Sequence, residues 1–144
     1  MADKITIDQI RARRIEDADS AIGSGFLWPT EIDSDGTIKV SSGLDHIASC
    51  IKRLIYYKHG DMIGMWTFGG GLSGRLFAVS SGSLSSEIKD DITNALTTYE
   101  PRVSDFRITV AKKNDDPLAL VVVLQYRVNT TGEYCSLVFP IPKE

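Results

Sequence analysis

The chain has 144 residues, 42% of them hydrophobic, enough to bury one domain-sized core. Its 16 basic and 19 acidic side chains give a net charge of -3, so no general attraction to nucleic acid or to an anionic membrane is expected. Only Cys50 and Cys135 occur, far apart and outside any Cys-x-x-Cys spacing, which points to two buried thiols rather than a disulfide framework or a zinc site.

Residues 1–25 combine charge with few large apolar groups and end in Ser20-Ala21-Ile22-Gly23-Ser24-Gly25, which predicts an extended N-terminal arm ahead of a domain at residues 26–144. The arm lacks the apolar run of a signal peptide, and no later stretch approaches the roughly 20 apolar residues of a membrane span. Synthesis and retention in the cytoplasm follow as the expectation. Phe26-Leu27-Trp28-Pro29 and Ile32, the turn Asp33-Ser34-Asp35-Gly36, and Thr37-Ile38-Lys39-Val40 predict a hairpin, with Pro29 near an edge.

Leu44, Ile47, Ala48, Ile51, Leu54 and Ile55 then recur at helical spacing, and His59-Gly60 marks the helix end. His46 falls beside the polar edge of this helix, as a surface imidazole would. Met62-Ile63-Gly64-Met65-Trp66-Thr67-Phe68 is expected as a short strand before Gly69-Gly70-Gly71. A second helix opens near Ser83, carries Leu84, Ile88, Ile92, Ala95, Leu96 and Tyr99 on one face, and stops at Glu100 because Pro101 disfavours the α region before it.

The last third predicts strands. Phe106, Ile108 and Val110 alternate with polar or small residues, residues 118–124 are apolar at nearly every position, as in an inner strand covered on both faces, and residues 134–139 form the final strand. The expected fold is α+β: a small domain with an antiparallel or mixed sheet packed on two amphipathic helices.

Signs of catalysis are weak. Gly69 to Gly74 satisfies the G-x-G-x-x-G spacing of a phosphate-binding loop, but the residues that follow do not form the long helix of a βαβ unit, so a structural turn fits better. Ser73 lies one residue away from a nucleophile elbow, with Arg75 where glycine would be needed. Glu31, Asp33 and Asp35 are the only nearby carboxylates a glycosidase could use, and Asp33-Ser34-Asp35-Gly36 reads more simply as a turn. No catalytic residue, cofactor or metal site is assigned. Asn129-Thr130-Thr131 matches a glycosylation acceptor but lacks a secretion signal beside it.

Three segments in fixed order are more specific: Gly25-Phe26-Leu27-Trp28-Pro29, Phe68-Gly69-Gly70-Gly71-Leu72 followed by Leu76-Phe77, and Glu100-Pro101-Arg102. Together, over residues 25–139, they resemble the baseplate wedge and sheath-initiator family of contractile phage tails, which also includes a type VI secretion baseplate component. Trp66-Thr67 departs from the acidic or polar lead-in usual before the Phe-Gly pair. The resemblance implies a non-enzymatic structural subunit beneath the first sheath ring, incorporated into a virion tail or an equivalent injection particle. Its expected partners are the larger wedge proteins and the sheath protein, with tail tube or spike and hub proteins as further neighbours, and neither nucleic acid nor membrane. It also implies that Glu100, Pro101 and Arg102 contact a helical bundle of the wedge. Tyr134, Leu137 and Phe139 mark the strand where a sheath arm would add, since backbone pairing supplies affinity there. The alternatives are a cell-wall hydrolase of lysozyme type and a free-standing cytosolic adaptor.

Overall fold

The computed structural model describes residues 20–75, 83–113 and 116–141. The predicted arm therefore falls outside the described residues over positions 1–19, as do Leu76 and Phe77. The chain forms two compact units, Met1–Ser49 and Cys50–Glu144.

In the first unit, β1 (Ser24–Phe26) pairs antiparallel with β2 (Val40–Ser42), and the bridge Ile32 to Ile38 extends the predicted hairpin. Asp35 closes its turn by accepting from the Thr37 amide at 3.1 Å and the Thr37 hydroxyl at 2.7 Å. Helix α1 (Gly43–Tyr56) begins here. Contrary to the surface position expected from its helix phase, His46 is half-buried: its Nδ1 lies 3.1 Å from the Ser41 hydroxyl, and its ring fills the space that Gly25 leaves open. A Cβ at Gly25 would sit 2.6 Å from the imidazole, so a larger residue there would force the His46 ring to move.

The second unit holds the end of α1, a 3₁₀ turn at Leu72–Arg75, helix α2 (Leu84–Tyr99) and three long strands, β3 (Val103–Lys113), β4 (Asp116–Val128) and β5 (Tyr134–Ile141). These strands form one antiparallel sheet in the order β3-β4-β5. The apolar stripes behave as their spacing predicts: Ile51, Leu54 and Ile55 of α1 and Leu84, Ile88, Ile92, Ala95 and Leu96 of α2 are buried. Val122, Leu124, Tyr126 and Val128 line the buried face of β4, while Val121 and Val123 on its other face are only half-covered. The inner strand is thus central in the sheet but not buried on both sides. Cys50 and Cys135 are not joined in a disulfide and are half-buried rather than fully enclosed.

Two local expectations change. Helix α1 stops at Tyr56, short of His59-Gly60, and residues 62–68 form a closed loop rather than a strand. The glycine cluster explains the first difference. The amides of Gly70 and Gly71 donate to the carbonyls of Leu54 and Tyr57 at 2.8 and 3.0 Å, and the Ser73 hydroxyl donates to that of Tyr56 at 2.6 Å. The carbonyls that a helix end leaves open are satisfied by this segment instead of by another turn of helix. Gly69 lies at φ 127, where a Cβ would be 2.3 Å from the Tyr57 carbonyl oxygen, so only glycine fits. Phe68 and Leu72 on either side are buried. Among the described residues, no helix is long and apolar enough to cross a membrane.

Candidate docking surfaces

Glu100 caps the end of α2 by donating its amide to the Leu96 carbonyl at 2.9 Å, in a backbone conformation (φ -128, ψ 72) that leaves the helix. Its side chain turns inward and is 5% exposed. The carboxylate is satisfied within the triplet: Arg102 donates from Nε to Oε1 at 2.6 Å and from Nη2 to Oε2 at 2.7 Å. These bonds hold the guanidinium well above its ordinary pKa, against partial burial that works the other way, and Cys50 adds a smaller push in the same direction. Pro101 between them is exposed.

A residue outside the triplet fixes its shape. Asn129, in the β4 to β5 turn, donates its side-chain amide to the Pro101 carbonyl at 3.0 Å and its backbone amide to the Arg102 carbonyl at 2.9 Å. The Ser104 hydroxyl in turn donates to Asn129 Oδ1 at 2.6 Å. The sequence gives no hint of this role, because the only pattern at Asn129 is the glycosylation triplet and the bonds span 27 or 28 positions.

The second surface is the edge of the sheet. The Val128 amide donates to the Glu133 carbonyl at 2.8 Å, making that a hydrogen-bonded pair. Hydrogen-bonded and non-hydrogen-bonded pairs alternate in an antiparallel ladder. Along the unbroken register, Tyr126/Cys135, Leu124/Leu137 and Val122/Phe139 therefore bond across to β4, whereas Arg127/Tyr134, Gln125/Ser136, Val123/Val138 and Val121/Pro140 do not. The amides of Tyr134, Ser136 and Val138, and the carbonyls of these residues and Pro140, point away from β4, to the side of β5 on which no strand pairs among the described residues. Pro140 stands where the ladder asks for no N–H, which suits an edge strand. At the far end, the Tyr56 hydroxyl reaches the Pro140 carbonyl at a long 3.5 Å.

The strand's side chains divide accordingly. Tyr134 and Val138 are exposed, whereas Phe139 is 1% exposed and meets Tyr56 edge to face with centroids 5.8 Å apart. Leu137 is half-buried on the same side as Phe139. Of the three strand residues marked in the sequence, Tyr134 alone offers an exposed side chain; Leu137 and Phe139 anchor the strand on the core. The opposite edge, β3, is broken by register shifts between Ser104 and Arg107 and between Lys112 and Lys113, with Asp105 at φ 55 in the first. Such bulges spoil an edge for pairing, and β5 has none.

The carboxylates near the hairpin form no comparable arrangement. Glu31 pairs with Lys39 at 2.8 Å, both exposed, and the Thr37 bonds hold the Asp35 carboxyl below its ordinary range. In the glycine loop, the Gly70 and Gly71 amides are spent on the carbonyls of Leu54 and Tyr57 and are not offered to a phosphate.

The family model described as baseplate wedge protein gp25 matches residues 41–133. A candidate tail lysozyme from Geobacter sulfurreducens, known from a crystal structure, superposes with a TM-score of 0.64 at 25% identity, covering 75% of this chain and 97% of that one. A chain of the anti-feeding prophage baseplate superposes with a TM-score of 0.57 at 16% identity, covering 85% of this chain and 87% of its own, a likeness of fold. No curated protein matches the chain.

Proposed function

Because the chain belongs to the baseplate wedge protein gp25 family, we propose that it is a small structural subunit of a contractile tail or injection machine, docking on the larger wedge proteins and starting sheath polymerisation. The observation that carries the second half is the β5 edge. Its outward amides and carbonyls lie in continuous register and end at a proline that halts further pairing. An extended sheath arm adding there would gain backbone hydrogen bonds now made to water. The wedge contact is assigned to Glu100, Pro101 and Arg102, with Glu100 fixing the plane of the guanidinium, a group suited to helix-end carbonyls or carboxylates. The subunit is made in the bacterial cytoplasm and incorporated into the particle, with tube or spike and hub proteins as neighbours.

It acts without catalysis. The likeness to a candidate tail lysozyme favours a hydrolase as the second reading, but Glu31 and Asp35 are engaged by Lys39 and Thr37 at the exposed surface. A free-standing adaptor has no specific observation in its favour. Deleting the gene from a particle-forming strain should leave baseplates that grow no sheath, restored by the wild-type chain supplied in trans. Normal sheaths on particles lacking the chain would overturn the proposal.

A further inference from the structure

Residues 61–67 form a loop whose shape is fixed by hydrogen bonds and whose largest side chains face outward. The Gly60 amide donates to the Trp66 carbonyl at 2.9 Å, Met65 to Met62 at 3.1 Å and Phe68 to Met65 at 3.0 Å, while Asp61 Oδ2 accepts from the Lys58 amide at 2.9 Å. Phe68 roots the loop, edge to face with Tyr57 and Tyr99 at 6.0 and 5.1 Å. None of this uses the side chains of Ile63, Met65 or Trp66. Ile63 is 95% and Trp66 69% exposed, and Met65 is exposed beside them.

Single exposed apolar residues are ordinary, but three within four positions on a closed loop are not explained by folding. Two of the chain's three methionines and one of its two tryptophans fall here. Methionine adapts to an opposing surface, and tryptophan is the residue type that most often dominates binding energy. The loop also has a defined place. The Thr67 and Tyr99 hydroxyls are hydrogen-bonded to one another, and Tyr99 is the last residue of α2, next to Glu100-Pro101-Arg102.

We propose that this loop is the apolar half of the wedge-docking surface: Ile63, Met65 and Trp66 insert into an uncharged groove on the same partner that receives Arg102. The inference rests on the proposed wedge function. A protein groove is the occupant because the exposed side chains are apolar and the loop is tied, through the Thr67 to Tyr99 hydrogen bond, to the helix end that carries the polar triplet. An anionic membrane is disfavoured, since residues 60–67 contain Asp61 and no lysine or arginine.

The test uses the full chain with Trp28→Phe, which leaves Trp66 as the sole tryptophan. On adding purified wedge proteins, Trp66 emission should move to shorter wavelength and its quenching by iodide should fall. Ile63→Ser with Trp66→Ala should weaken wedge binding about tenfold or more at an unchanged melting midpoint. A complex that forms with Trp66 emission unmoved, or with the double variant binding at wild-type strength, overturns the loop's role and leaves the wedge function intact. If the wild-type chain binds no wedge protein, that function fails and the loop's role with it. Shielding of Trp66 by self-association of the isolated chain, or by anionic vesicles, would assign the loop another occupant and also overturn the proposal.

Discussion

Arg102 and Glu100, two positions apart, are joined by parallel hydrogen bonds of 2.6 and 2.7 Å across a proline, and the carboxylate of the pair is almost wholly buried. The triplet is therefore a fixed shape before any partner arrives, and Arg102 has a structural task as well as a proposed binding one. Removing one member of a buried pair leaves the other uncompensated, at a cost of about 3 to 5 kcal/mol when both are enclosed. Arg102 is partly open to water, so Arg102→Ala should cost the isolated chain less, about 1 to 3 kcal/mol. Replacing both, Glu100→Leu with Arg102→Met, should recover much of that stability while wedge binding stays lost. Urea unfolding beside wedge co-purification checks this; a double variant that binds normally would remove the triplet from the interface.

The ladder parity makes strand addition testable with two prolines that differ by one position. At Val138 the amide points to the free edge, so Val138→Pro removes a donor that no strand of the sheet uses. At Leu137 the amide bonds to β4, so Leu137→Pro breaks the ladder itself. Val138→Pro should fold, with a modest loss of melting temperature, yet fail to support sheath growth; Leu137→Pro should be destabilised by about 3 kcal/mol or more. Normal sheaths on Val138→Pro baseplates would rule out pairing along that edge.

Much of the fold could be read from local patterns. Ile51, Leu54 and Ile55 and the Leu84 to Leu96 stripe announce their helices by spacing, and the alternation in β3 and the apolar run in β4 announce strands, because burial of one face imposes a period. What was hidden depends on contacts distant in sequence. Helix α1 ends early because Gly70, Gly71 and Ser73 supply its missing donors. Residues 62–68 have strand-like composition but pair with no strand among the described residues, and the Gly60 to Trp66 bond closes them on themselves. Asn129 binds the Pro101 and Arg102 carbonyls from the far end of a hairpin, a pairing with no periodic signature. The Glu100-Pro101-Arg102 motif was visible, but the inward turn of Glu100 was not.

The glycine loop should respond as a structural element. Gly69→Ala places a methyl group 2.3 Å from the Tyr57 carbonyl oxygen at φ 127, and the backbone conformation alone costs about 1 to 3 kcal/mol. Gly74→Ala, whose Cβ would meet only the Lys58 side-chain carbons at 3.6 Å and beyond, should be nearly neutral. Thermal melts of the two variants should differ accordingly. Equal melting points would mean that the loop can move away from α1 at little cost.

The likeness to a candidate tail lysozyme makes cell-wall hydrolysis worth excluding by experiment. A retaining glycosidase needs two carboxyl groups about 5 to 5.5 Å apart, one kept protonated near neutral pH by an apolar pocket. Here Lys39 sits 2.8 Å from Glu31, and that contact raises the pKa of the lysine. Asp35 is lowered by its bonds from Thr37, the direction opposite to that of a general acid. Both groups lie at the surface, where water screens them and no shaped cleft is needed to explain their positions. NMR titration should therefore find Asp35 below the ordinary aspartate range, shifting upward in Thr37→Val as the hydroxyl donor is lost. Purified protein should clear no peptidoglycan in a zymogram at any pH from 4 to 8 (about the window in which carboxylate pairs work). Clearing by the wild-type chain that disappears in Glu31→Gln would make the hairpin catalytic after all.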